Sequence, residues 1–102
     1  MIYETTLKVP HNRLDYIKHA LEEPDYMGED DTITDSVTFP NGMQMDIKCC
    51  GSQDDVAWTE AVLFNKDGVP EAISDVSDEF LGEWELTDGE GTTYRVTVVP
   101  LE

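Results

Sequence analysis

The chain reads as one α+β domain, with a single N-terminal helix packed on a bent, mainly antiparallel sheet of about six to seven strands, in the order β-α-β-β-β-β-β-β. Three observations lead there. Helical periodicity appears once, near the start of the chain. Period-two alternation recurs through the rest, and short turn signals separate the alternating runs. The 102 residues are too few for two conventional cores but enough for one modest core without staples.

Taken in order, Ile2 to Val9 alternate, with Tyr3, Thr5, Leu7 and Val9 on one face and Glu4, Thr6 and Lys8 on the other, which is a half-buried strand. Pro10 ends it and suits the first turn of a helix. From about Pro10 to Glu23, Leu14, Ile17 and Leu21 fall at i, i+3 and i+7 with Ala20 beside them, forming one apolar stripe. Asn12 is a capping residue if the helix starts late, and Pro24 closes the helix. Asp25 to Asp31 (DYMGEDD) form an acidic, glycine-containing loop.

Ile33, Asp35, Val37 and Phe39 then alternate with Thr34, Ser36 and Thr38 as a second strand. Pro40-Asn41-Gly42 is the strongest turn signal in the chain. Proline sets φ for a type I turn, asparagine tolerates the next position, and glycine takes the left-handed bulge site. The resulting hairpin opposes Phe39 to Met43, Val37 to Met45, Asp35 to Ile47 and Ile33 to Cys49, so the apolar faces coincide.

Gly51 to Asp55 is a polar loop, and Trp58 to Phe64 is the fourth strand. Asn65-Lys66-Asp67-Gly68 repeats the type I turn with a glycine bulge. It leads into a weaker strand around Val69 to Val76, whose Pro70 marks a sheet edge. Ser77 to Gly82 is a turn or single helical turn carrying Phe80 and Leu81. Glu83 to Thr87 and Thr92 to Val99 make a final hairpin, with Trp84 and Leu86 against Tyr94, Val96 and Val98. Trp58, Trp84, Tyr94, Phe39, Phe64 and Phe80 are core residues on this reading.

Charge is the most unusual property. The chain has 23 Asp and Glu against 6 Lys and Arg, a net of −17. Direct binding to nucleic acid or an anionic membrane is disfavoured, because both are polyanions. The N-terminal strand and helix are nearly neutral, with Lys8, Arg13 and Lys18 against Glu4, Asp15, Glu22 and Glu23. The excess falls in two stretches without a base, Glu22 to Asp35 and Glu71 to Glu90. Duplex DNA carries one charge per roughly 1.7 Å, so 17 charges correspond to about 29 Å of duplex.

No motif announces catalysis. His11 and His19 are two helical turns apart, too far to serve one metal or one proton transfer. Neither Asn65-Lys66-Asp67-Gly68 nor Glu29-Asp30-Asp31 has the ligand spacing of an EF-hand. Cys49 and Cys50 are adjacent, so on a strand they point to opposite faces and do not bond to each other. They lack the spacing of a zinc site. The expectation is no enzyme, no cofactor and no metal.

The N-terminus has no basic and apolar leader pattern, and no run approaches a membrane span, so a cytoplasmic protein is expected. The segments MDIKCCG (residues 45–51), WTEAVLF (58–64) and SDEFLGEWEL (77–86) resemble small acidic uncharacterised proteins of gut Firmicutes, often encoded on mobile genetic elements. That resemblance implies no activity, cofactor or site residue. Acidic proteins on such elements include DNA mimics that block restriction or CRISPR nucleases.

The charge pattern thus points to a non-enzymatic acidic interaction protein, in its most concrete form a DNA-mimic inhibitor of a basic nucleic-acid-binding enzyme. Its partner-binding residues are Asp25, Glu29, Asp30 and Asp31 with Tyr26 as anchor, and Asp78, Glu79, Glu83 and Glu85. An acidic accessory or immunity protein without mimicry is the alternative, and a small metal-binding domain or enzyme the third. Tyr26 and Met27 are either an exposed anchor or a loop folded back over the core.

Overall fold

The chain is described by a computed structural model over residues 1–51 and 56–101, so residues 52–55 of the expected polar loop lie outside the described residues. Its elements are β1 (Ile2–Val9), α1 (His11–Glu22), β2 (Thr32–Thr38), β3 (Gln44–Cys50), β4 (Trp58–Phe64), β5 (Pro70–Ile73), β6 (Gly82–Thr87) and β7 (Thr93–Pro100). The element order and the α+β class follow the alternation and the single helical stripe.

The expected single bent sheet is in fact two sheets. One has the strand order β1-β7-β6 and the other β2-β3-β4-β5. Pairing is mainly antiparallel, as expected; the exception is at the chain ends, where β1 runs parallel to β7, with Ile2 beside Thr93 and Val9 beside Pro100. α1 accounts for the division of the first two strands. It carries the chain from β1 across to β2, so the first and second strands enter different sheets.

One core lies between the inner faces. β1, β7 and β6 contribute Val9, Tyr94, Val96, Val98, Trp84 and Leu86, while the other sheet contributes Met45, Ile47, Cys49, Ala61 and Leu63. Ile17 and Ala20 of α1 complete it, with Leu14 and Leu21 packed at its margin. The β2–β3 register is Val37 to Met45, Asp35 to Ile47 and Ile33 to Cys49, as the turn chemistry requires. Gly42, at φ 89°, occupies the left-handed site of that turn.

In β4 the expected core aromatics are on the other side. Thr59, Ala61 and Leu63 are fully buried, whereas Trp58 and Phe64 are half-exposed on the outer face. The chain rejoins β4 just after β5: Ser77 and Thr59 exchange backbone hydrogen bonds, and Thr59 Oγ1 donates to the Glu79 carbonyl at 2.6 Å and to the Ser77 carbonyl at 3.2 Å. Trp58 instead donates from Nε1 to Glu60 at 3.3 Å.

Two features lock the sheets together. Tyr3 and Tyr94 stack at 5.6 Å, and Phe39 meets Tyr94 edge-on at 5.0 Å. The Tyr94 hydroxyl donates to Asp88 Oδ2 at 2.8 Å and accepts from Asn41 Nδ2 at 2.9 Å, tying the β6–β7 turn to the β2–β3 turn. Burial raises the Tyr94 pKa, and Asp88 adds to that while Asn41 opposes it. For Asp88, partial desolvation pushes the pKa up, but the hydrogen bonds from Tyr94 and from the amides of Thr92, Glu90 and Gly91 outweigh it and hold the carboxyl below its usual range.

Candidate functional site

α1 begins at His11 with Pro10 as its N-cap and ends at Glu22, where Glu23 turns extended ahead of Pro24. Asn12 is not the cap. Its Oδ1 accepts only from the next amide, Arg13, at 2.9 Å. Because α1 buries Ile17 and Ala20, its two flanks face sideways along the surface. Arg13 reaches from α1 to Asp35 on β2, an ion pair that brings a carboxylate onto the otherwise apolar inner face of the sheet. The Asp35 side chain is 12% exposed, and its Oδ2 has no hydrogen-bond partner.

The nine residues assigned to partner binding fall into three groups. The 25–31 loop lies along one flank of α1. Tyr26 rests on the helix, 5.2 Å from Tyr16 and 5.6 Å from His19 between ring centroids, and it remains 42% exposed. Met27 is buried, with Cys49 Sγ 3.8 Å from its sulfur. The loop therefore folds back over the core through Met27 while Tyr26 stays at the surface. Asp31 accepts the Gly28 amide at 2.8 Å, and Gly51 donates to the Asp31 carbonyl at 2.8 Å. A Cβ on Gly51 would lie 1.9 Å from the Gly28 oxygen, so only glycine permits this approach. Asp25, Glu29 and Asp30 are exposed along the same loop.

Asp78 and Glu79 lie beside the opposite flank of α1. There a groove of about 630 Å³ runs between the helix and residues 78–81. Leu14, Ile17, Leu21, Phe80 and Leu81 line it with carbon, and Asp15, Glu22, Asp78 and Glu79 with carboxylates. His11 and Lys18 are its remaining polar residues. The 77–80 segment is held firmly, because Trp84 Nε1 donates to the Phe80 carbonyl at 3.1 Å and the Glu79 amide to Ser77 Oγ at 3.1 Å.

Glu83 and Glu85 form the third group, on the outer face of the β1-β7-β6 sheet. Both pair with Arg95, at 3.3 Å and 2.8 Å, and Glu4 of β1 pairs with it from the other side. Glu4 and Glu85 are the direct cross-strand neighbours of Arg95. The hydrogen bonds that Arg95 donates to Glu85 foremost, and to Glu4, raise its pKa further, with the charge of Glu83 and Glu85 adding to them. The β6 glutamates are thus partly neutralised, whereas Asp15, Glu22, Asp78 and Glu79 have no ion pair among the described residues.

Sequence reasoning missed the α1 half of the groove. In sequence, Leu14 and Leu21 belong to the apolar stripe, Asp15 to the nearly neutral N-terminal segment, and Glu22 to the start of the first acidic stretch, with nothing linking them to Asp78 and Glu79. The available signal was helical phase: Asp15, Lys18 and Glu22 sit on the flank adjoining Leu14 and Leu21. The two cysteines lie as adjacent strand positions require, Cys49 buried and Cys50 half-exposed, both free thiols. Burial, with a contribution from Cys50, pushes the Cys49 thiol up to about 11. Burial, then Glu60, also raises Cys50, which leaves both as sluggish nucleophiles. Among the described residues no group of three or more His, Cys, Asp and Glu side chains is arranged to hold a metal, and no helix is long and apolar enough to cross a membrane. No protein-family model matches the chain, and no curated protein or solved structure matches it.

Proposed function

We propose that this chain is a non-enzymatic, cytoplasmic interaction protein whose uncompensated carboxylates bind a basic protein. The observation that carries the reading is the distribution of ion pairs. Among the described residues, two arginines absorb four carboxylates, Asp35, Glu4, Glu83 and Glu85, and the other acidic side chains have no ion-pair partner. Such a surface repels itself and costs stability, a cost that a cationic partner offsets on binding. Electrostatic steering speeds association with that partner, and salt weakens it.

The narrower form of the proposal is a DNA mimic that inhibits a basic nucleic-acid-binding enzyme. The long axis of the molecule is 39 Å, so 17 net charges give about 2.3 Å per charge, close to the roughly 1.7 Å of duplex DNA. One observation favours the accessory or immunity reading instead: the carboxylates fall into separate patches on the two flanks of α1 and the outer face of β6, rather than one continuous row.

The test is competition with labelled duplex for a panel of restriction and Cas nucleases. The mimic releases duplex, less effectively as salt rises. A variant with Asp25, Glu29, Asp30, Asp31, Asp78, Glu79, Glu83 and Glu85 all changed to their amides loses this. Equal release by the amide variant would sink the mimic reading.

A further inference from the structure

We propose that the groove between α1 and residues 78–81 seats a basic amphipathic helix of the partner protein, its apolar side chains on the groove floor and its lysines or arginines against the rim. The proposal rests on the reading that this chain binds a basic protein, and it names where and through what chemistry.

Three properties of the groove support that occupant. Its floor is apolar and accessible: Leu81 is 44% exposed, and Leu14 and Leu21 are partly buried at the edge of the core. Leu14 and Leu21 are seven residues apart on α1, a spacing of about 10.5 Å that matches two turns of a helix laid alongside. At about 630 Å³ the groove falls within the roughly 300 to 1,000 Å³ of ordinary ligand clefts.

The rim selects the charge of the occupant. Four carboxylates, Asp15, Glu22, Asp78 and Glu79, stand against one lysine, Lys18, and none of the four is ion-paired among the described residues. A second copy of this chain, itself carrying −17, would be repelled. The wall is also preformed. Thr59 and Trp84 hold the Glu79 and Phe80 carbonyls, so binding does not have to order that segment first.

The other two acidic groups lack this combination. Glu83 and Glu85 flank Arg95 on an open strand face, and the 25–31 loop has already buried its methionine and laid Tyr26 on α1.

The experiment uses the whole chain, labelled with ¹⁵N, and two synthetic peptides of equal positive charge. One has leucines and lysines in helical spacing; in the other, serine replaces every leucine. The leucine–lysine peptide is expected to shift the amides of Leu14, Lys18, Leu21 and Leu81 and to bind about ten-fold tighter than the serine–lysine peptide. Leu81→Ser, at a 44% exposed position and with its fold checked by circular dichroism, is expected to remove most of that difference. Asp78→Asn with Glu79→Gln weakens both peptides and flattens the salt dependence. If the serine–lysine peptide binds equally well, or the shifts fall on β6 or the 25–31 loop, the groove is not the seat, although a basic partner still stands. If neither peptide shifts any amide, the basic-partner reading fails with it.

Discussion

The outer face of β6 and the flank of α1 carry the same chemistry to opposite ends. On β6, Glu83 and Glu85 converge on Arg95, which Glu4 also reaches from β1. Beside α1, Asp15, Glu22, Asp78 and Glu79 surround leucines and have no arginine at all. In one region carboxylates hold neighbouring strands in register; in the other they remain available to something outside the molecule. Carboxylate density therefore does not identify a binding surface. Density without an internal counter-charge, beside exposed carbon, is the better criterion.

The comparison breaks most sharply in the interior, at the third arrangement of a carboxylate. Asp35 is nearly enclosed, one of its oxygens is already without a partner, and Arg13 is its counter-charge. Arg13→Leu leaves that charge unpaired; because Arg13 itself is 40% exposed, the expected cost in urea unfolding is about 2 kcal/mol, below that of a fully buried pair. Adding Asp35→Leu to it should restore most of the loss, since it removes the nearly enclosed carboxylate that Arg13 neutralises. A neutral Arg13→Leu would show that water, not arginine, supports Asp35.

A smaller effect separates carboxylates that serve the fold from those that do not. Tyr94→Phe removes the hydroxyl that bridges Asn41 and Asp88 and should cost about 1 kcal/mol. Asp88→Asn is expected to destabilise at neutral pH. Because the folded-state pKa of Asp88 lies below its ordinary value, its contribution is complete above about pH 4 and is lost as pH falls through the folded value. The gap between wild type and Asp88→Asn should therefore close in acid. A constant gap from pH 7 to pH 2 would mean that the loss is steric.

The smallest effect is the most direct contrast of the two surfaces. Asp78→Asn with Glu79→Gln should raise stability at low salt by less than about 1 kcal/mol, by relieving repulsion. Glu83→Gln with Glu85→Gln removes partners of Arg95 and should bring no such gain. The difference between the two double variants should vanish near 1 M salt, where screening extends to about 3 Å. Equal gains from both would show that Arg95 neutralises nothing.

Much of the fold was legible where a signal is local. The β2–β3 register followed from the Pro40-Asn41-Gly42 turn and the matching of Val37 to Met45. The inner faces of β6 and β7 followed from alternation alone, with Trp84, Leu86, Tyr94, Val96 and Val98 all buried. β4 was misread because both of its faces are rich in carbon: Trp58, Val62 and Phe64 on one, Ala61 and Leu63 on the other. Size favours the aromatic face, but the face that meets the shared core carries Thr59, Ala61 and Leu63, and only the tertiary fold decides which face that is. The division into two sheets had no local signal, since β1 meets a strand 91 positions away. The groove was hidden for the same reason. Its walls, α1 and residues 78–81, are joined only by the tertiary fold.

The parallel pairing of β1 with β7 also has a consequence for synthesis. β7 is the middle strand of its sheet, so β1 and β6 have no common neighbour until residues Thr93–Pro100 exist. A ribosome that has made β1 to β6 holds a chain with two unpaired strands from that sheet and half of a shared core exposed. The β2-β3-β4-β5 meander can form during translation, since its neighbours are consecutive. The other sheet must wait for the last strand and for closure of a very long loop, which makes this a slow-folding topology for its size. A net charge of −17 then repels other copies of the half-built chain while it waits.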